Sequence, residues 1–312
     1  MVKENDVDYK NRRPVLAVIG ALLLLLGLAV GLIAPVEMYC FYLFSEGGRF
    51  QYEGFRFGSF MFGNIAGQIV GYYLIAALCI PLGYGHLRLR RWARTLVLTL
   101  CGCWLVVGAP LTLVFLFILF ASKEISLVAA LLAVLLVGAS YPALPMLLRR
   151  FYQGRNVRLT FEARDPNPHW IERFPIPVLV LGFLFAFYAI VLHVPIFFNG
   201  LFPLFGTWLT DLPGIWASSV SIACLVGLTW GIFEQKAWAW WGSLVYLTLL
   251  TLSAVGTFAT SRYLTLLSKM NLPPKEVDIL DGLPLHGIHF AGFIGVPLVL
   301  TLGLLIRSKR HF

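Results

Sequence analysis

The chain has 312 residues, 59% of them hydrophobic and only 12% charged, with a formal net charge of +9. Its mean hydropathy of +0.82 excludes an ordinary soluble domain, and the continuity of its apolar runs excludes an outer-membrane barrel, whose strands would alternate. The composition reads as all-α and polytopic, and membrane topology with anionic lipid headgroups accounts for the basic excess without nucleic acid.

A bilayer core needs about 20 apolar residues per helix. Runs of that length occupy residues 14–35, 61–84, 95–121, 126–148, 174–198, 213–234, 238–261 and 284–306, which predicts eight transmembrane helices. The first follows Lys10, Arg12 and Arg13 and ends at Pro35 without a small-x-small cleavage site, so it reads as an uncleaved anchor. The connection 36–60 is dense in aromatic residues, as suits the headgroup boundary. Within it Phe50 and Tyr52, then Phe55 and Phe57, flank Glu53 and Gly54 and predict a short surface hairpin. In the second span Asn64 and Gln68 share a face with the small pair Gly67 and Gly71, and the first span carries Gly27 and Gly31 at the same spacing. These residues predict close packing of the first two spans, with the amides bonded across the interface.

The next feature organises the whole chain. Gly85, Arg90, Trp92 and Ala93 return, each 146 positions later, as Gly231, Lys236, Trp238 and Ala239. Each set joins one apolar run to the next, which predicts one helical elbow used twice and a chain built from two parallel four-helix repeats, 1–150 and 174–312. In this reading Trp92 with Arg90, and Trp238 with Lys236, are interfacial anchors. Glu234 reads as a snorkelling helix-end residue paired with Lys236 or a neighbouring arginine. Pro81, Pro110, Pro142 and Pro145 are candidate interruptions of their runs. Cys101 and Cys103 read as small packing residues, and the five cysteines support no disulfide framework.

Residues 151–173 read as a linker between the repeats. Val157, Leu159 and Phe161 alternate with Arg158, Thr160 and Glu162, predicting one short extended piece that ends at Asp165-Pro166-Asn167-Pro168. With the N-terminus inside, eighteen of the 24 Lys and Arg fall on the cytoplasmic side, giving +11 there and −2 outside, so both termini are expected in the cytoplasm.

In the second half, His193 falls near the outer end of the fifth span, Ser218, Ser219 and Ser221 in the outer half of the sixth, and His286 with His289 at the outer start of the eighth. Asn64, Gln68, Ser218 and Ser221 are candidates for an outer polar cavity, since polar groups in a span mark function. His286 and His289, three apart and preceded by Glu276, Asp278 and Asp281, are candidate metal or haem ligands with His193 as a third. A bare His-x-x-His lacks the Glu of a zinc hydrolase, and the sequence specifies no cofactor.

No catalytic, nucleotide-binding or transport motif occurs. The leading expectation is an integral membrane protein without catalytic machinery, serving as an accessory, scaffold or interaction subunit in a bacterial plasma (inner) membrane. Its expected partners are membrane lipids and another membrane protein. The alternatives are a carrier for a small or lipophilic solute that uses the two halves, and a metal- or haem-binding protein with an outer-face histidine cluster.

Overall fold

The computed structural model describes residues 9–51, 59–121, 126–270, 272–282 and 285–312. Among the described residues, eight helical spans are long and apolar enough to cross a bilayer. In chain order the helices are α1 (Arg13–Phe44), α2 (Phe60–Leu87), α3 (Arg91–Ala121), α4 (Leu127–Gly138), α5 (Leu144–Gln153), α6 (Arg155–Arg164), α7 (Ile176–Val191), α8 (Val194–Phe197), α9 (Asp211–Phe233), α10 (Ala237–Thr260), α11 (Tyr263–Lys269), α12 (Pro274–Asp281) and α13 (Gly287–Arg307). Among the described residues the only strands are β1 (Phe202–Leu204) and β2 (Thr207–Leu209), an antiparallel pair. The hairpin expected around Glu53 and Gly54 falls on 52–58, outside the described residues.

The two elbows have the same geometry. In the first, the Leu89 N–H donates to the His86 carbonyl and the Arg90 N–H to the Gly85 carbonyl, with Leu89 in the left-handed region at φ 51°. In the second, Gln235 donates to Ile232 and Lys236 to Gly231, with Gln235 at φ 52°. This is the paired bonding that closes a helix C-terminus. A Cβ on Gly85 would lie 2.7 Å from the Cβ of Ala93, and one on Gly231 2.6 Å from the Cβ of Ala239, with Trp92 and Trp238 nearly as close. The recurring Gly and Trp-Ala are therefore the two sides of one contact: the glycine leaves room for the ring and methyl of the following helix. Glu234 forms no ion pair among the described residues, contrary to the pairing expected with Lys236.

α1 and α2 form an antiparallel pair whose close approach uses glycine, but only partly the glycines expected. Cβ atoms on Gly20, Gly27 and Gly83 would each meet the facing helix at 2.6–2.8 Å, and one on Gly31 would touch Ala76 at 3.4 Å. Gly67 and Gly71 have open space at that position, and Asn64, Gly67 and Gln68 are exposed. The expected packing role thus holds for Gly27 and Gly31 and fails for Gly67, Gly71, Asn64 and Gln68. The helix turns its Ala76, Ile80 and Gly83 side to α1 instead.

Residues 151–173 also differ from expectation. Over 155–164 the chain is helical, burying Val157, Thr160 and Phe161 at helical spacing, and it stops where Asp165-Pro166 begins. Alternation misread this segment because Leu159 is only half-buried while Thr160 is buried. The 151–173 segment is held against the first elbow: Arg91 pairs with Glu172 at 2.8 Å, Arg90 with Asp165 at 3.6 Å, and Arg94 donates to the Tyr152 carbonyl at 2.9 Å. Beneath it, buried His86 bonds Leu82 through Nδ1 and the Tyr152 hydroxyl through Nε2 at 2.6 Å. The exposed Arg158 is held by Glu162 at 2.8 Å, a contact that raises the pKa of its guanidinium.

Of the prolines, Pro142 interrupts its run, with a π-helical turn over Ala139–Ala143 separating α4 from α5. Pro81 lies within continuous α2, and α3 runs through position 110. The main core is built by α7, α9, α10 and α13, with Leu181, Leu184, Phe185, Leu225, Ile232, Leu247 and Leu305 almost wholly buried. α3 packs on α7 and α13, where Gly102 lets Val180 approach to 2.6 Å from a virtual Cβ.

Candidate functional site

At the end of the core remote from the elbows, the chain between α8 and α9 folds back as the β1–β2 hairpin. Its turn residues Phe205 and Gly206 both have positive φ, 43° and 90°, the combination that suits the twist of a two-residue hairpin loop. Non-helical backbone beside a span must have its polar groups satisfied. Here α10 supplies the partners from one face: Ser253 accepts from the Phe205 N–H at 3.0 Å and donates to the Pro203 carbonyl, while Thr257 accepts from the Gly206 N–H at 2.8 Å. One turn further, Ser261 accepts from the Trp208 indole at 2.7 Å. The Trp208 ring then meets Phe258 edge-on at 4.7 Å.

Below this hairpin lies a cavity of about 470 Å³, within the roughly 300–1,000 Å³ of small-molecule sites. α7, α8 and the residues that end them contribute Tyr188, Leu192 and Phe198, α10 contributes Leu250, Ala254 and Phe258, and α13 contributes Phe293, Ile294, Pro297 and Leu298. Phe202, Pro203 and Trp208 of the hairpin form the roof, and Val107 of α3 and Met270 complete the wall. Phe187, Val191, Val194 and Phe293 combine cavity lining with exposure, so the cavity reaches the outer surface of the helix bundle between α7 and α13.

The walls are apolar, and their polar side-chain atoms are already engaged. Thr301 donates to the Pro297 carbonyl at 2.7 Å, which leaves its oxygen to accept from Tyr188 at 2.7 Å. The Trp208 indole is committed to Ser261. Pro297 has no N–H to give the Phe293 carbonyl one turn back, so α13 lacks one intrahelical bond where it borders the cavity. Such walls offer water no free side-chain partner. Beside the cavity, burial and then the Asp281 carboxylate raise the Tyr263 phenol above its ordinary pKa, and its hydroxyl donates to the Leu280 carbonyl.

None of the residues expected at an outer polar cavity lines this space. Asn64 and Gln68 are exposed on α2, while Ser218 and Ser221 are buried on the core face of α9, the hydroxyl of Ser218 without a partner among the described residues. The histidines are also apart in role. His193 is exposed at the end of α7, with Nδ1 donating to the Ala189 carbonyl at 2.8 Å. His289 caps the start of α13, its Nδ1 accepting from the His286 N–H at 2.9 Å. Among the described residues no three His, Cys, Asp or Glu side chains gather as a metal site requires, so His193 is not brought to His286 and His289. Glu276 accepts instead from the Phe60 and Met61 N–H groups at the start of α2.

Trp92 packs half-buried on its elbow glycine, and Trp238 does so while half exposed, beside exposed Arg90 and Lys236. The cavity itself escapes sequence reasoning, because in a chain this hydrophobic no apolar residue stands out. The one available signal was Ser253, Thr257 and Ser261, spaced four apart on a single helix face. Comparison with family models, curated proteins and solved structures finds no match to this chain.

Proposed function

We propose that the protein binds a lipophilic molecule in the cavity between α7, α10 and α13, as a non-catalytic lipid-holding or carrier component of a plasma (inner) membrane. The observation that carries this reading is a sizeable apolar space whose polar atoms are already satisfied and whose side opens between exposed Phe187 and Phe293. A guest of matching character can enter sideways from the bilayer and keep its chain out of water, where exposure would cost about 0.8 kcal/mol per CH₂. The test is thermal: monoolein should raise the melting temperature of the purified wild type and not that of Ala254→Trp, whose ring occupies the space, because a ligand of the folded state stabilises it. Equal shifts in both proteins contradict the reading.

A second reading, an interaction subunit, is favoured by Asn64 and Gln68. They stand exposed on α2 beside open Gly67, and amides on a lipid-facing surface gain from a neighbouring helix. Chemical cross-linking in native membranes tests it: a partner captured through α2 and lost on Asn64→Leu/Gln68→Leu supports it, and unchanged capture opposes it. The matched elbows support the two parallel four-helix repeats, and the basic residues at the elbow end support a cytoplasmic location for both termini.

A further inference from the structure

The walls of the cavity restrict what part of a ligand can enter. A polar group carried inside would lose its hydration and find the Tyr188, Thr301 and Trp208 side chains already bonded, a costly exchange. Only a hydrocarbon segment fits that condition, so an amphipathic guest must leave its head at the rim. Two basic residues, His193 and Lys269, stand beside lining residues in the chain. His193 lies between the lining residues Leu192 and Val194; with Nδ1 committed to the Ala189 carbonyl, its Nε2 has no partner among the described residues. Lys269 precedes the lining residue Met270, and its ammonium forms no ion pair among the described residues. These two rim segments are tied together, since the Asn199 amide donates to the Lys269 carbonyl at 3.2 Å. Of the nearby carboxylates, Asp211 accepts from the hydroxyl of Thr210, and Asp281 lies near the Tyr263 phenol.

Building on the proposed lipophilic site, we infer that its occupant is a membrane phospholipid with one acyl chain in the cavity and its phosphate at the rim, held by Lys269 and by the imidazolium form of His193. An ammonium and an imidazolium both donate to phosphate oxygens, and charge-assisted bonds of this type are the strong ones. The lateral opening between α7 and α13 lets the chain enter while the head stays at the level of the hairpin. Neither the apolar cavity nor the cations alone specify such a ligand; their adjacency does.

Native mass spectrometry separates this inference from the reading beneath it. Purified full-length protein is titrated with dioleoylphosphatidylglycerol and, separately, with dioleoylglycerol, which has the same chains and no phosphate. Wild type is expected to take one phosphatidylglycerol about tenfold more tightly than the diacylglycerol, and His193→Ala/Lys269→Ala to bind the two alike, by loss of charge-assisted contacts. Ala254→Trp is expected to bind neither. If the double variant keeps the tenfold preference, the phosphate contact is overturned while the cavity reading stands. If Ala254→Trp binds as wild type does, both fall. As a measurement independent of folding in the variants, a phosphatidylglycerol with a photoreactive diazirine near its chain end should label wild-type peptides from α7, α10 or α13. Labelling confined to other helices overturns the inference.

Discussion

The α1–α2 pair and the body formed by α7, α9, α10 and α13 are both built from apolar helices, and they differ in what they are packed against. In the window that defines each span, 11% of α2 and 17% of α1 is buried, against 44% of the span containing α7. The pair relies on one glycine-lined seam. The body relies on a many-sided core, and that core is where the chain encloses a cavity. In lipid the hydrophobic effect does not drive helices together, so close backbone approach and bonded polar groups must hold a two-helix unit. A multi-helix body can tolerate a gap, because its neighbours fix the walls from several sides.

The contrast can be broken most severely at the seam. A Cβ at Gly83 would lie 2.6 Å from the Leu24 nitrogen and 2.8 Å from the Gly20 oxygen, both backbone atoms unable to move aside. Gly83→Val should therefore cost at least the upper end of the roughly 1–3 kcal/mol typical of overpacking. The direct readout is a disulfide between Gly31→Cys and Ala76→Cys in a background without other cysteines. A virtual Gly31 Cβ is 3.4 Å from that of Ala76, close to bonding range, and Gly83→Val should abolish the bond. Gly67→Val, with open space around it, should leave it intact, and loss of the bond there would mean that the faces of α2 are misassigned.

The body should be sensitive at its polar seam. Thr257→Val keeps the shape of the side chain and removes the acceptor of the Gly206 N–H, an unmet bond worth about 1–3 kcal/mol when buried. Faster amide exchange in the hairpin at 205–206, with α1 and α2 unchanged, is the expected result. Exchange unchanged from wild type would show that the hairpin does not depend on α10. The smallest effect belongs to the exposed pair Arg158 and Glu162, where Arg158→Ala should change the melting free energy by no more than about 0.5 kcal/mol. A large loss there would make α6 a far more important strut than its exposure suggests.

What the sequence made legible follows from local rules. Span lengths come from bilayer thickness. The elbows come from a Gly and Trp-Ala contact that spans fewer than ten residues and so leaves a fixed spacing. Gly27 and Gly31 were readable because α1 has a single close partner. The face of α2 was not, since Gly67 and Gly71 satisfy the same small-xxx-small pattern as the residues that pack. His86 was missed because in the elbow it looks like one more basic residue, although its ring is buried against Tyr152, 66 positions away. The hairpin over 202–209 lacks an Asn-Gly signal, and its turn is held by hydroxyls about 50 residues distant. The cavity depends on how seven chain segments meet, which no local pattern encodes.

The central claim is that the cavity holds a hydrocarbon chain. It is tested most directly by determining the structure in nanodiscs containing a phospholipid with dibrominated chains and locating the bromine signal. Bromine in the space bounded by Phe187, Ala254 and Phe293, absent in Ala254→Trp, is the predicted result. Bromine spread evenly along the lipid-facing helices, with the cavity empty or closed by side chains, would contradict it.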